Sequence, residues 1–231
     1  MFLHNPPGLK MVVFTGAGVS TPSGMSDFRS QSGIEANINK PLTEALSRHE
    51  LYCNPERFWN TWEQYLRVPD TLEPNIVHEA IALFESRWDI TVVTQNIDEL
   101  HEQAGSSRVL HLHGTSEVFC EKCKMPALPD GKKRHVCGGK IRPNAVLYGE
   151  KLNTRVINTA VQAIEEADIL LTLGTSLKVH PAAGLLNYYT GTEAYFFGRE
   201  MPDMTGIGVQ FRYAIAELEE LFEPFAPAIA Q

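Results

Sequence analysis

Three groups of residues in this chain have the types and spacing to do chemistry. The first joins Gln95, Asn96 and Asp98 to two histidines downstream, His111 and His113, the latter followed by Gly114. A carboxylate among amides can stabilise a developing cation, and a neutral imidazole can take a proton near pH 7 without an extreme pKa shift. The second is the small-residue turn Gly16-Ala17-Gly18-Val19-Ser20, echoed far downstream by Gly174-Thr175-Ser176. Turns of this kind, set directly after a strand, can offer backbone N–H groups to a phosphate. The third is Cys120, Cys123 and Cys137 with His135 close by, a set of donors that suits a tetrahedral metal.

Each group also has a plainer reading. The glycine turn lacks the strict dinucleotide fingerprint, because Thr21 stands where a third glycine belongs and Gly24 comes three residues late. It is either a phosphate cradle or a tight turn that merely joins strand to helix. Asn96 or Asp98 could cap a helix beginning near Glu99, although capping explains one polar residue and not three. His111 and His113 have equal chemical credentials, whereas His78 and His101 fall on helical patterns and read as packing or capping residues. The cysteine group admits a zinc site with His135 as fourth ligand, an empty site, or a metal-free turn packed by Arg134. Cys53 lies far from it in sequence and reads as a small buried residue.

The elements that must position these groups are set by periodicity. Short apolar, β-branched runs at Met11–Phe14, Ile90–Thr94, Val109–Leu112, Ile169–Leu173 and Ala194–Phe197 predict strands. Helical spacing covers Asn75–Ser86, behind Pro74, and Arg155–Ala167, with a short helix over 98–104 and a last one over Ala214–Phe222. The alternation predicts an α/β fold: a Rossmann-like parallel sheet with helices on both faces. Between residues 119 and 143 the pattern breaks into Cys, Lys, Gly and Pro. The expected organisation is a nucleotide-binding domain built from 1–118 and 144–231, interrupted by a small zinc-ribbon-like module at 119–143.

Composition agrees with that frame. The 231 residues are 43% hydrophobic and 21% charged, enough for one substantial core and a small insert. A net charge of −8 repels nucleic-acid backbones and anionic membranes, and the one short basic run, Lys132-Lys133-Arg134, reads as a solvated turn. No run approaches the roughly 18 apolar residues of a membrane span, and the first ten residues hold two prolines and no signal-peptide core. The expectation is a soluble, cytoplasmic protein with neither nucleic acid nor membrane as a direct partner. Three clustered cysteines out of four suit a reducing compartment and a metal knuckle better than a disulfide framework.

Six motifs, GAGVS, GMSDFRS, TQNID, LHLHG, RPNAVLYGE and GTSLKVHPAA, occur in the order and approximate spacing of the sirtuin family. From about Lys10 to Leu221 the chain resembles a bacterial sirtuin, an NAD-dependent protein-lysine deacylase. The resemblance implies that NAD is a consumed co-substrate and that acylated protein lysines are the partners. The acyl oxygen attacks C1′ of the nicotinamide ribose, nicotinamide leaves, and an alkylimidate is resolved to lysine and O-acyl-ADP-ribose. His113, the histidine that precedes the glycine, is implied to be the general base that activates a ribose hydroxyl. Asn96 and Asp98 are implied to hold the nicotinamide ribose and carboxamide, with Gln95 shaping their pocket. Gly16, Ala17, Gly18, Ser20, Gly174, Thr175 and Ser176 fall to the nucleotide. Asp27, Phe28 and Arg29 are the implied cofactor loop, Phe28 covering the nicotinamide and Arg29 near phosphate or ribose.

The acyl-lysine peptide is implied to lie between Val146, Tyr148, Gly149 and Glu150 on one side and the 177–180 segment, with Leu177 and Val179, on the other, as an added strand. Relatives that prefer acidic acyl groups carry a Tyr and an Arg three apart. Asn60 and Glu63 align there, with Tyr65 and Arg67 near enough for a shifted register, so acetyl or longer neutral acyl groups are favoured. Zinc-binding relatives use two CxxC-like knuckles; here Arg134 takes the place of one thiol, and His135 is the candidate replacement. Departures on the adenine side are Gly198-Arg199-Glu200 after the last expected strand and the glycine-free stretch 210–214. Arg199 either reaches ribose or phosphate or sits in water. The other readings are ADP-ribosyl transfer or NAD hydrolysis by the same residues, and a non-catalytic NAD sensor.

Overall fold

A computed structural model describes residues 5–26, 41–69, 71–127 and 134–229. Asp27, Phe28 and Arg29 lie outside the described residues, as do Lys132 and Lys133. Contacts divide the chain into a larger unit, Met1–Met25, Leu72–Leu112 and Asn153–Gln231, and a smaller one, Ser26–Thr71 and His113–Leu152.

The larger unit is a parallel sheet of six strands. These are β1 (Lys10–Thr15), β2 (Asp89–Thr94), β3 (Val109–His111), β6 (Ile169–Leu173), β7 (Glu193–Gly198) and β8 (Arg212–Ile215), in the order β3-β2-β1-β6-β7-β8. The remaining two strands, β4 (Val118–Cys120) and β5 (Ile141–Pro143), belong to the smaller unit. The five strands expected from sequence are therefore present. The order reverses between β1 and β6, which pair in parallel. In open sheets of this kind, ligands bind beyond the carboxyl ends of the strands at such a reversal.

Alternation along the strands fills two cores. Met11, Val13, Ile90, Val92, Ile169, Leu171, Tyr195 and Phe197 face a helix over Ile76–Phe84 and the C-terminal helix; Val12, Phe14, Val93, Leu170, Ala194 and Phe196 face a helix over Thr154–Glu165 and the 3-10 segment Ala182–Tyr188. Burial on both faces explains why these strands read as unbroken apolar runs.

The expected last helix needs correction. Ala214–Phe222 is not one helix: Arg212–Ile215 forms the edge strand β8, paired Tyr195↔Arg212 to Gly198↔Ile215, and helix occupies only Leu218–Phe222. Ile215, Leu218 and Leu221 have helical spacing, but the backbone of 212–215 completes the ladder of β7 instead. Ile215 is consequently 44% exposed, whereas Leu218 and Phe222 are buried.

Among the described residues, the first part of the smaller unit holds three short helices, α1 (Leu42–Ala45), α2 (Arg48–Cys53) and α3 (Pro55–Tyr65). The composition break at 119–143 marks only part of this unit, because the helices before it pack with it. Phe58, Trp59 and Trp62 of α3 are buried together, with ring centroids 5.4–6.3 Å apart. Strands β4 and β5 pair antiparallel. Tyr148 pairs with Ser47 at the start of α2, accepting from Arg48 N–H at 2.9 Å and donating to Leu46 C=O at 3.1 Å. The larger unit contributes the next helices in chain order, α4 (Ile76–Phe84), α5 (Leu100–Gln103) and α6 (Thr154–Glu165). Among the described residues no helix is long and apolar enough to cross a membrane.

Candidate active site and metal centre

The carboxyl ends of β1 and β6 carry the two small-residue turns, and these pack on one another. Gly16 N–H donates to Leu173 C=O at 3.0 Å and Gly18 N–H to Gly174 C=O at 2.8 Å. A Cβ on Gly18 would lie 2.8 Å from the Gly174 oxygen. Gly174 sits at φ +57°, and a Cβ there would come 2.7 Å from Gly18 C and Val19 N. Glycine is thus required for the turns to touch. The amides of Val19 and Ser20 close the turn onto Gly16 and Ala17 carbonyls, so few backbone donors of this turn point outward. Asn75, at the start of α4, ties the turn down: it caps Val77 N–H and donates to Val19 C=O at 2.9 Å and Ser23 Oγ at 2.8 Å.

Beside these turns, at the end of β2, stands the polar cluster. Gln95 Nε2 donates to Thr175 Oγ1 at 2.9 Å. Asn96 Nδ2 donates to Ser20 Oγ at 3.0 Å, and Ser20 Oγ donates to Asp98 Oδ2 at 2.9 Å. Ser20, Asn96 and Asp98 are all buried. Burial raises the Asp98 pKa above the ordinary carboxyl value, against the bonds from Ser20 and Leu100 N–H and the nearby His111. Asp98 also accepts from Leu100 N–H at 3.3 Å, so the capping role and the cluster role belong to one residue. Thr175 is half-buried and Ser176 exposed.

The histidines separate clearly. His78 accepts from Asn75 N–H as the second half of a capping box, and His101 lies 3.1 Å from Thr15 Oγ1; both are fully buried, as packing and capping residues should be. Burial lowers their pKa values to about 4 and about 3. His111 lies at the end of β3, with Nε2 2.7 Å from Glu102 Oε1 and Nδ1 3.1 Å from the Asn96 carbonyl. His113 belongs to the smaller unit and is half-buried. Its carbonyl accepts from Val146 N–H at 2.7 Å, and a Cβ on Gly114 (φ +73°) would lie 2.2 Å from the Asn144 oxygen. The glycine after His113 therefore lets the Asn144–Val146 segment close against it.

Val146, Tyr148, Gly149 and Glu150 lie together in the smaller unit, while Leu177 and Val179 belong to the larger. The Glu150 carboxylate is held by a bidentate pair with Arg142 at 2.7 and 2.8 Å and by Leu147 N–H at 3.0 Å, so it shapes the turn. Leu177 is 1% exposed within the core, leaving its backbone as the part that can meet a ligand. On α3, Glu63 pairs with Arg67 at 3.3 Å, and Asn60 is exposed. Arg199 is exposed but paired: it bonds Glu217 at 2.6 Å and Thr21 Oγ1 at 3.2 Å. Sequence reasoning missed Ser20 as the link between Asn96 and Asp98, and Glu102 as the partner of His111. The lone signal for the latter was an acidic residue one turn from Asp98.

Cys120, Cys123, His135 and Cys137 converge, their donor atoms all within 4.8 Å of one another. Cys120 Sγ lies 3.5 Å from Cys137 Sγ, and His135 Nδ1 lies 3.4 Å from both Cys123 and Cys137 Sγ. Tetrahedral zinc with ordinary bond lengths places sulfurs about 3.8 Å apart and sulfur from nitrogen about 3.6 Å. The donors thus fit zinc closely, and the four residues could hold it. Arg134 turns away and donates to Gly138 C=O at 2.8 Å. Cys53 is not buried as expected; it ends α2 exposed, with Sγ 3.6 Å from His49 Nδ1, because its side of α2 faces outward.

The profile of the Sir2 family matches residues 16–181. A Staphylococcus aureus protein named NAD-dependent protein deacetylase is 42% identical over 202 residues, 83% of this chain and 83% of its own. A Listeria monocytogenes protein of the same name is 39% identical over 183 residues, 77% of this chain and 79% of its own. Among solved structures, a Sir2 variant with deacetylated p53 peptide and 3′-O-acetyl ADP ribose superposes with a TM-score of 0.83 at 28% identity, covering 94% of this chain and 92% of that one. Sir2 with p53 peptide and NAD+ gives 0.79, at 28% identity over 94% and 92%. With a sheet reversed between β1 and β6, a polar cluster at that edge and a Cys3His knuckle, this chain belongs to the Sir2 family.

Proposed function

We propose that this protein is an NAD-dependent protein-lysine deacetylase that converts NAD and an acetyl-lysine protein to nicotinamide, the free lysine and O-acetyl-ADP-ribose. The observation that carries the reading is the buried Ser20–Asn96–Asp98 chain at the β1/β6 reversal, taken with relatives named for this activity.

Asn96 and Asp98 orient the nicotinamide ribose and carboxamide, and the Asp98 carboxylate stabilises positive charge at C1′ as nicotinamide leaves. Ser20 keeps both side chains in place. The Gly16–Ser20 and Gly174–Ser176 turns receive the nucleotide phosphates and ribose, chiefly through the outward groups of Ala17, Thr175 and Ser176. His113 accepts the proton from the ribose hydroxyl that attacks the acyl carbon, and water completes the release of lysine. Val146, Tyr148 and Gly149 in the smaller unit, and Leu177 and Val179 in the larger, are the residues assigned to the acyl-lysine peptide. Asp27, Phe28 and Arg29 are assigned to the nicotinamide side of the cofactor. Zinc on Cys120, Cys123, His135 and Cys137 would supply structure and no chemistry to the reaction. Asn60 and Glu63 stand where acidic-acyl relatives carry Tyr and Arg, which favours acetyl and longer neutral acyl groups. The setting proposed is the cytoplasm.

The test is to incubate purified protein with NAD and an acetyl-lysine peptide and follow deacetylated peptide and nicotinamide by mass spectrometry, with His113→Ala alongside. Equal formation of both products, lost in the variant, is expected. Nicotinamide without deacetylated peptide would shift the reading to ADP-ribosyl transfer or NAD hydrolysis, and NAD binding without either product would make the protein a sensor.

A further inference from the structure

His111 is a half-buried ionisable group on the nucleotide side to which the deacetylation chemistry gives no task. Its side chain is 12% exposed. Both ring nitrogens face acceptors: Nδ1 the Asn96 carbonyl at 3.1 Å, and Nε2 the Glu102 carboxylate at 2.7 Å. A carbonyl and a carboxylate only accept. A neutral imidazole carries one N–H and would leave one of these contacts without a proton, whereas the imidazolium satisfies both.

The surroundings favour the charged form. The titratable groups facing the ring are Glu102 and His101 on α5 and Asp98 in the loop before it. From β2 the neighbour in register is Thr94, and α6, packed on β3, turns the apolar Ala160 and Ile164 inward. Burial pulls the His111 pKa down, but the Glu102 carboxylate, the Asn96 carbonyl and the Asp98 charge outweigh it and hold it above the ordinary value.

The bonds also close a ring. His111 holds the Asn96 backbone, Asn96 Nδ2 donates to Ser20, Ser20 donates to Asp98, and Asp98 accepts from Leu100 N–H on α5, the helix that carries Glu102. Loss of one N–H at His111 opens this ring at Asn96.

We propose that His111 is a positioning residue, a protonated clamp whose imidazolium ties Asn96 to Glu102 and so sets the Asn96–Ser20–Asp98 chain for NAD, making NAD affinity fall at alkaline pH. The proposal rests on the assignment of that chain to NAD in the deacetylase reading. It does not rest on turnover.

The test combines two measurements on the intact protein. Histidine 15N shifts of the NAD-free protein are followed from pH 6 to 9, and the NAD dissociation constant is measured by calorimetry over the same range for wild type, His111→Gln and Glu102→Gln. A doubly protonated His111 ring at pH 7, and a dissociation constant that rises along the same titration curve, are expected. In Glu102→Gln both curves should move to lower pH, a change that simple loss of folding would not produce. His111→Gln should bind NAD roughly tenfold more weakly at pH 7, about one charge-assisted hydrogen bond, with no alkaline limb of its own. A singly protonated ring at pH 7 would overturn the clamp, as would wild-type affinity and pH dependence in His111→Gln. Absence of deacetylation with NAD binding intact would overturn the deacetylase reading alone, since neither measurement needs turnover.

Discussion

At the scale of single residues, the site is built from atoms whose partners leave little choice. Gly18 is present because the Gly174 carbonyl approaches to where a side chain would begin, 2.8 Å from a Cβ. Gly18→Ala must therefore push two backbones apart, and we expect a loss of roughly 1–3 kcal/mol with a lower melting temperature and weakened NAD binding, both measurable by thermal shift with and without NAD. Ser20 is the residue that sequence left with the least specific role and structure with the most: it accepts from Asn96 and donates to Asp98. Ser20→Ala leaves Asp98 buried with only the Leu100 amide as a local donor. Steady-state kinetics should show kcat/KM for NAD down by about tenfold or more, one hydrogen bond to a charged group, with KM for peptide little changed.

At the scale of elements, the short pieces depend on side chains for their ends. Asn75 starts α4 and anchors the glycine turn through the same side chain. Asn75→Ala should lower stability by about 1–2 kcal/mol, read by urea denaturation, because both the cap and the anchor are lost. The β4–β5 ribbon is a three-residue pairing, too small to hold without a staple. We expect one zinc per chain by elemental analysis of the purified protein; Cys123→Ala should abolish it, and a chelator should expose the ribbon to proteolysis. Zinc retained at full stoichiometry in Cys123→Ala would contradict the ligand set.

At the scale of the whole molecule, histidine charge sets the response to acid. His78 and His101 are buried, and burial lowers their folded pKa values to about 4 and about 3 from an ordinary 6.5. The unfolded chain therefore binds more protons than the fold below pH 6.5, so stability is full above that value and falls as pH drops towards 4. At pH 5 the loss should be roughly 2 kcal/mol for each histidine, measurable as a shift of the urea midpoint between pH 7.5 and pH 5. His111 has the opposite sign: its raised pKa contributes stability below pH 6.5 that is lost as pH rises through the folded value. A midpoint unchanged at pH 5 would show that the two buried histidines do not titrate as their surroundings require.

The sequence by itself determined the sheet, the family and the residues proposed for the site. Five parallel strands were legible because burial on both faces leaves unbroken apolar runs such as ITVVT and ILLTL. The motifs supplied Asn96, Asp98 and His113, and the spacing of Cys120, Cys123 and Cys137 singled out His135, since ligands within one knuckle lie close in sequence as well as in space. Tertiary structure decided what depends on partners distant in the chain. Whether 212–215 is strand or helix depended on β7 offering an unpaired edge, which no local spacing records. The two glycine turns required each other across more than 150 residues, a contact that neither motif records locally. The state of His111 was set by an Asn96 carbonyl and a Glu102 carboxylate; the protonation of a buried group follows from the acceptors around it, and those are fixed only when the chain is folded.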